Sequence, residues 1–323
     1  MRAARLHEWG EDPVVEDVPA PARRDGATTV AVEAAAVSHL DLTISGGQFR
    51  LRPQLPHTGG VEGCGRVVDS GTLAPGTRVL IRGAGVGIVK PGCWAGYVVA
   101  ADKALRPVGD DLPAPLAATF FVPCTTAHVA LHDVGGFTRG ERVVVTGAAG
   151  AVGSVVTQLA LQGGAAEVIA VVPREEQFGL VPEGARPVAG RGADVVAALG
   201  GKPAATLLVD TLGGDGLPEL LGLVQPGGRA VLVGYALGPA ITLDLPNWLL
   251  QEIRLLPVNM MRNEERANEI APRLAAEVAA GTIRLAVELF GLEEIGAALA
   301  RLRAGRLAGR GVVTPTAGDR AEP

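Results

Sequence analysis

Gly147-Ala148-Ala149-Gly150-Ala151-Val152-Gly153 follows the apolar run Arg142 to Thr146 and opens the stretch Ser154 to Leu161. A glycine-rich turn between a buried strand and a helix lets the backbone approach a pyrophosphate, whose charge meets the positive helix N-terminus. The competing reading is a tight turn that needs glycine for packing alone. The strand–turn–helix–strand order from Arg142 to Val172 favours the dinucleotide site, with Gly147, Gly150, Ala151, Val152 and Gly153 as its cradle. The residue that meets the adenosine ribose is expected about 20 residues past the glycines, at the end of the second strand. There the chain reads Val171-Val172-Pro173-Arg174, without a carboxylate. The planar fork of Arg174 suits a 2′-phosphate better than a neutral hydroxyl, which points to NADPH over NADH. A surface pair between Arg174 and Glu175 or Glu176 is the alternative.

The elements around this turn change character near residue 118. Before it, short β-like runs recur between clusters of Gly, Pro and Asp: Thr29 to Ala36, Gly65 to Asp69, Arg78 to Arg82 and Gly96 to Ala100. From about Pro115, strands alternate with helical stretches, the pattern of a parallel α/β sheet. Its expected strands are Arg142 to Thr146, Glu167 to Val172, Ala205 to Asp210, Gly228 to Gly234 and Arg254 to Asn259. The end of the chain returns to mixed structure, with a helix at Leu292 to Ala304, a strand at Gly311 to Pro315 and a frayed tail from Ala317. The expected division is 1–118, 119–262 and 263–323, with the middle segment inserted between two parts of one domain.

At 323 residues the chain is long enough for two cores. Only 3% of residues are aromatic, so those cores must be built from Ala, Val and Leu. A net charge of −5 with scattered arginines argues against a polyanion partner. The first ten residues have no apolar segment of signal-peptide length, and charges interrupt every long apolar run, so a cytoplasmic protein is expected. Cys64, Cys93 and Cys124 are too few and too widely spaced for a disulfide framework or a four-thiolate metal cluster.

Seven motifs in order resemble the medium-chain dehydrogenase/reductase superfamily, in particular its zinc-free quinone oxidoreductase branch. They are Val37-Ser38-His39-Leu40-Asp41, Gly60-Val61-Glu62-Gly63-Cys64-Gly65, Pro75-Gly76-Thr77-Arg78-Val79 and Thr126-Ala127-His128-Val129-Ala130-Leu131. The Gly147 to Gly153 turn, Gly227-Gly228-Arg229 and Gly309-Arg310-Gly311-Val312-Val313 complete the series. The resemblance covers residues 1 to 314 and implies a Rossmann doubly wound parallel sheet inserted in a GroES-like β-rich domain. It implies the nicotinamide between the two domains and a homodimer formed through the sheet edge near Asn247 to Met260.

The same resemblance bears on metal. Zinc-dependent relatives use a cysteine where this chain has Ser38, a histidine where it has Val61, and a third thiolate whose position falls on Val122, near Cys124. Serine and valine do not supply a catalytic zinc set. His39, His57 and Cys64 are the remaining conceivable ligands, and scattered histidines are more often ordinary polar residues. Without a Lewis acid the natural reactions are hydride delivery to a quinone or to the β-carbon of an enone, where the developing oxygen needs only hydrogen-bond donors and a proton.

By the family match, Ser38, His39, Asp41 and Thr43 face the nicotinamide. Many relatives carry asparagine at Ser38 and tyrosine at Thr43. His39 is the best titratable candidate, with a backbone-bonded histidine as its alternative. Asp41 either orients a partner or caps the short helix. Further cofactor contacts are expected from Thr126, Gly213, Gly234, Tyr235 and Arg310, and a substrate pocket from His57, Asn259, Met260 and Met261. Two other readings stay open: a tailoring reductase of secondary metabolism, and a catalytically silent NADPH-binding sensor.

Overall fold

The computed structural model describes residues 1–320. Contacts divide the chain into two units, one of Met1–Phe121 with the residues from Ala286 on, the other of Val122–Leu285.

In the first unit the strand Ala27–Val37 is the hub. Its side chains alternate between buried and half-buried before the run Ala34 to Val37 goes under entirely. Antiparallel neighbours Glu62–Asp69, Tyr97–Ala101 and Arg310–Thr314 pair with it, and Val287–Gly291 runs parallel to the last of these. Arg78–Arg82 and Leu105–Pro107 extend the sheet beyond Glu62–Asp69. With few aromatics, one buried Trp94 does much of the filling, its Nε1 donating to the Ala36 carbonyl at 3.0 Å. Gly59 lies against its ring, where a Cβ would come within 2.6 Å. Directly after the hub strand comes the helix His39–Ser45.

The second unit is built on six parallel strands: Arg142–Thr146, Glu167–Val172, Arg186–Ala189, Ala205–Asp210, Val224–Leu232 and Arg254–Pro257. Counted in chain order they lie 3-2-1-4-5-6 across the sheet, so the order reverses between the first and fourth strands. Val143, Val144, Val145, Leu207, Leu208 and Val209 are all fully buried, which explains why these strands read as unbroken apolar runs. The fold is therefore the expected α/β class, a doubly wound sheet following a GroES-like β-rich first part.

Four details differ from expectation. The helix Glu264–Ala279 belongs to the second unit, whereas the return was placed at residue 263. Its apolar face of Ala267, Ile270, Ala271, Leu274 and Val278 is buried, and Gln158 bonds both the amide and the carbonyl of Arg284. The segment expected at the sheet edge splits into the helix Leu245–Gln251 and the short edge strand Arg254–Pro257. The third strand, Arg186–Ala189, had not been expected at all. The tail is ordered as far as Arg320, whose Nη2 donates to the Val32 carbonyl at 2.6 Å. Asp319 Oδ2 there accepts from the Thr316 amide and hydroxyl, and residues 321–323 lie outside the described residues. Among the described residues, no helix is long and apolar enough to cross a membrane.

Candidate functional site

The glycine-rich turn sits at the carboxyl end of the first strand of the parallel sheet. Gly147 holds φ at +61°, and a Cβ there would meet Thr211 Oγ1 at 2.5 Å. A Cβ on Gly153 would lie 2.3 Å from the Gly147 carbonyl oxygen. Gly150 caps the helix Ala151–Gln162 without a side-chain bond. The first rung of that helix is Ser154 N to Gly150 O at 3.1 Å, so the amides of Ala151, Val152 and Gly153 precede the ladder. Unpaired amides aligned with a helix dipole, under a turn that tolerates no Cβ, make a cradle that fits a pyrophosphate.

Behind the cradle is a buried network that sequence reading missed. Thr146 Oγ1 donates to Asp210 Oδ1 at 2.6 Å and accepts from the Thr211 amide at 2.9 Å. Thr211 Oγ1 donates to the Thr146 carbonyl, and the Gly213 amide donates to Asp210 Oδ2 at 2.7 Å. Burial raises the Asp210 pKa, opposed by these donors. The available signal was a carboxylate ending an otherwise apolar strand.

Gly213, at φ +64°, packs so tightly on the end of the fifth strand that a Cβ would meet the Gly234 carbonyl at 2.8 Å and Tyr235 Cα at 2.9 Å. Tyr235 itself is 68% exposed. Arg174, just past the second strand, is exposed; its carbonyl accepts from the Gln177 amide at 3.1 Å, while its guanidinium makes no hydrogen bond or ion pair among the described residues, so the alternative pairing with Glu175 or Glu176 does not form. Thr126 is buried in the helix Phe121–His128. Asn259 Oδ1 accepts from the Met261 and Arg262 amides, Met260 is half-buried, and Met261 is exposed.

In the first unit, Ser38 and Asp41 form a capping box at the start of the helix His39–Ser45. Ser38 Oγ and N donate to Asp41 Oδ2 at 2.6 and 2.9 Å, and the Val61 amide donates to Oδ1 at 3.1 Å. Burial nevertheless outweighs these donors and the Arg310 charge, pushing the Asp41 carboxyl up to about 6. Thr43 Oγ1 donates to the His39 carbonyl at 2.9 Å. The His39 ring is exposed at the surface, yet desolvation by surrounding protein and then the Arg310 charge lower its pKa.

Arg310, expected beside a cofactor, is buried, with Nη2 donating to Glu62 Oε2. His57 was expected in a substrate pocket. Its ring is 5% exposed, Nε2 lies 3.1 Å from the Gly87 carbonyl, and burial lowers its pKa. The cavity it shares with Asp41, Ser45 and Trp94 is about 10 Å³, at the lower limit for one water and far too small for a quinone ring.

The chain matches two family models: "Alcohol dehydrogenase GroES-like domain" over residues 24–110 and "Zinc-binding dehydrogenase" over residues 151–276. It is 27% identical over 297 residues to a quinone oxidoreductase of Lama guanicoe, covering 88% of each chain. It is 34% identical over 144 residues to prostaglandin reductase-3 of Bos taurus, 45% of this chain and 37% of that protein. A solved mycobacterial protein, Rv1454c, complexed with NADPH, superposes with a TM-score of 0.82 at 26% identity, over 98% of this chain and all of that one. The zinc in one family description does not fit the residues present. Ser38 Oγ is committed to Asp41, and Val61 is a buried hydrocarbon. Among the described residues, no group of three or more His, Cys, Asp or Glu is arranged to hold a metal ion.

Proposed function

We propose, for a chain that belongs to the medium-chain dehydrogenase/reductase superfamily and there to its quinone oxidoreductase branch, that it is a metal-independent NADPH-dependent reductase of quinones or α,β-unsaturated carbonyls. The observation that carries the reading is the Gly147–Gly153 cradle, with three amides ahead of the helix ladder and no room for a side chain beneath. NADPH, when bound, supplies the hydride. The Ala151 and Val152 amides hold the pyrophosphate, and Arg174, unpaired and two residues past the second strand, takes the 2′-phosphate. That two of the relatives are a quinone oxidoreductase and a prostaglandin reductase supports the acceptor class, and the NADPH complex of Rv1454c supports the cofactor.

For the proton we assign His39. The hydroxyl hydrogens of Ser38 and Thr43 are already given to Asp41 Oδ2 and the His39 carbonyl, so those residues and Asp41 act by fixing the helix start that carries the imidazole. Met260 and Met261 supply an adaptable apolar border for the acceptor, on a turn that Asn259 fixes through its Oδ1. The protein works in the cytoplasm as a homodimer. The edge strand Arg254–Pro257 and the exposed Leu245, Leu249 and Leu250 of the neighbouring helix form its self-complementary face.

The committed Ser38 and Thr43 hydroxyls also favour a second reading, an NADPH-binding protein without turnover. Loss of the reduced-nicotinamide absorbance is followed with benzoquinone, phenanthrenequinone and a simple enone, with and without chelator. Chelator-resistant turnover is the expected result. Tight NADPH binding without turnover on any acceptor would move the assignment to the second reading, and chelator-sensitive turnover would refute the metal-free reaction.

A further inference from the structure

We infer that Asp210 is a positioning residue that clamps together three strand ends and thereby sets the grip on the nicotinamide half of the cofactor. This rests on the reading of the Gly147–Gly153 turn as a dinucleotide cradle. The carboxylate is 1% exposed and lies at the last residue of the fourth strand. Its Oδ1 takes the hydroxyl of Thr146, the last residue of the first strand and the one before the turn. Its Oδ2 takes the amide of Gly213, and its main-chain carbonyl takes the amide of Val233 at the end of the fifth strand, at 2.8 Å. Two further contacts close the assembly. The Leu237 amide donates to the Leu212 carbonyl at 2.9 Å, and a Cβ on Gly234 would come within 2.3 Å of the Thr211 carbonyl. The buried carboxylate therefore ties the first strand end to the Gly213 turn, which packs on Gly234 and Tyr235, while the backbone of the same residue holds the end of the fifth strand.

The position of the clamp decides what it controls. A doubly wound sheet seats a dinucleotide across the point where the strand order reverses, here between the first and fourth strands. The ribose-recognising position at the second strand end puts the adenosine half over strands one to three, and leaves the fourth and fifth ends to the nicotinamide half. The adenosine side is tied independently of Asp210, through Ala148 N to Val171 O at 3.1 Å and Gly190 N to Val172 O at 3.0 Å. A buried carboxylate is expensive to keep dehydrated, and a clamp confined to one half of the site is what that expense maintains.

The test compares NADPH with 2′,5′-ADP, which carries the adenosine half alone, by calorimetric titration of the full chain. Asp210→Ala is expected to weaken NADPH about tenfold or more while 2′,5′-ADP changes less than about threefold. Asp210→Asn can turn its oxygen to Gly213 and its amide to Thr146, so it recovers most of the NADPH affinity. Thr146→Val, close to isosteric, should reproduce Asp210→Ala, and carries the comparison if that variant does not fold. A merely structural role would lower the melting temperature and weaken both ligands together. Equal losses for both ligands, or none in either variant, overturns the inference. A wild-type chain that binds neither ligand overturns the cofactor reading along with it.

Discussion

Replacing Gly153 by alanine sets two opposed effects against each other inside the cradle. The new Cβ would lie 2.3 Å from the Gly147 oxygen, 2.7 Å from the Gly147 carbonyl carbon and 2.9 Å from the Thr146 oxygen. All three are backbone atoms, so no flexible side chain can yield, and the turn must retreat by about 1 Å to reach ordinary contact. Alanine gains about 1 kcal/mol over glycine in a helix. Overpacking costs about 1–3 kcal/mol, and a backbone obstruction belongs at the upper end. The net expectation is a fold weaker by about 1–2 kcal/mol. The effect on binding is larger, since hydrogen bonds to a charged group are worth about 1.5–3 kcal/mol each and displacing even one costs tenfold or more. Denaturant unfolding and NADPH titration read the two quantities separately. Gly179→Ala is the control, because a Cβ there meets nothing within 4 Å. If Gly153→Ala is as stable as the wild type and binds NADPH unchanged, the turn is not the tight cradle described.

Arg174→Ala removes an exposed, unpaired guanidinium, so stability should hold within about 0.5 kcal/mol while NADPH affinity falls about tenfold and NADH affinity stays. Equal changes for the two cofactors would contradict the 2′-phosphate assignment. His128 gives a pH effect: burial first, then His132, lower its pKa from 6.5 to about 4. The folded protein then binds fewer protons than the unfolded chain, so this contribution is full above pH 6.5 and is lost as pH falls toward about 4. Because the ring is only half-buried, the roughly 3 kcal/mol implied by the shift is discounted to about 1 kcal/mol. In His128→Gln the acid loss of stability should shrink by that amount, and parallel pH curves for the two proteins would count against it.

Burial on both faces made the central strands legible. Arg142–Thr146, Glu167–Val172 and Ala205–Asp210 have the bounds their apolar runs suggest. The fifth strand was read as starting at Gly228 because Gln225, Pro226 and Gly227 look like a turn, yet they are an exposed part of Val224–Leu232. The third strand was missed for a related reason: it has four residues, includes Pro187 and lies at the sheet edge, where proline is tolerated. The phosphate turn announced itself through local glycine spacing. Asp210 did not, because its partner Thr146 is 64 residues away and a lone carboxylate carries no periodicity. His57 shows the opposite case. Its chemistry suggests a ligand contact, and its burial with Nε2 near the Gly87 carbonyl is a tertiary arrangement that no local pattern carries.

The hub strand Ala27–Val37 has one neighbour, Arg310–Thr314, that lies near the far end of the chain. On a ribosome adding about 5–20 residues per second, that edge must wait tens of seconds for its partner. Every strand of the parallel sheet has been made by Pro257, so the second unit can complete its sheet while the first still presents open amides and carbonyls. The unit that is begun first is thus completed last. Loss of even the last dozen or so residues before Arg320 would strike the oldest part of the chain, leaving the hub edge bare to other chains.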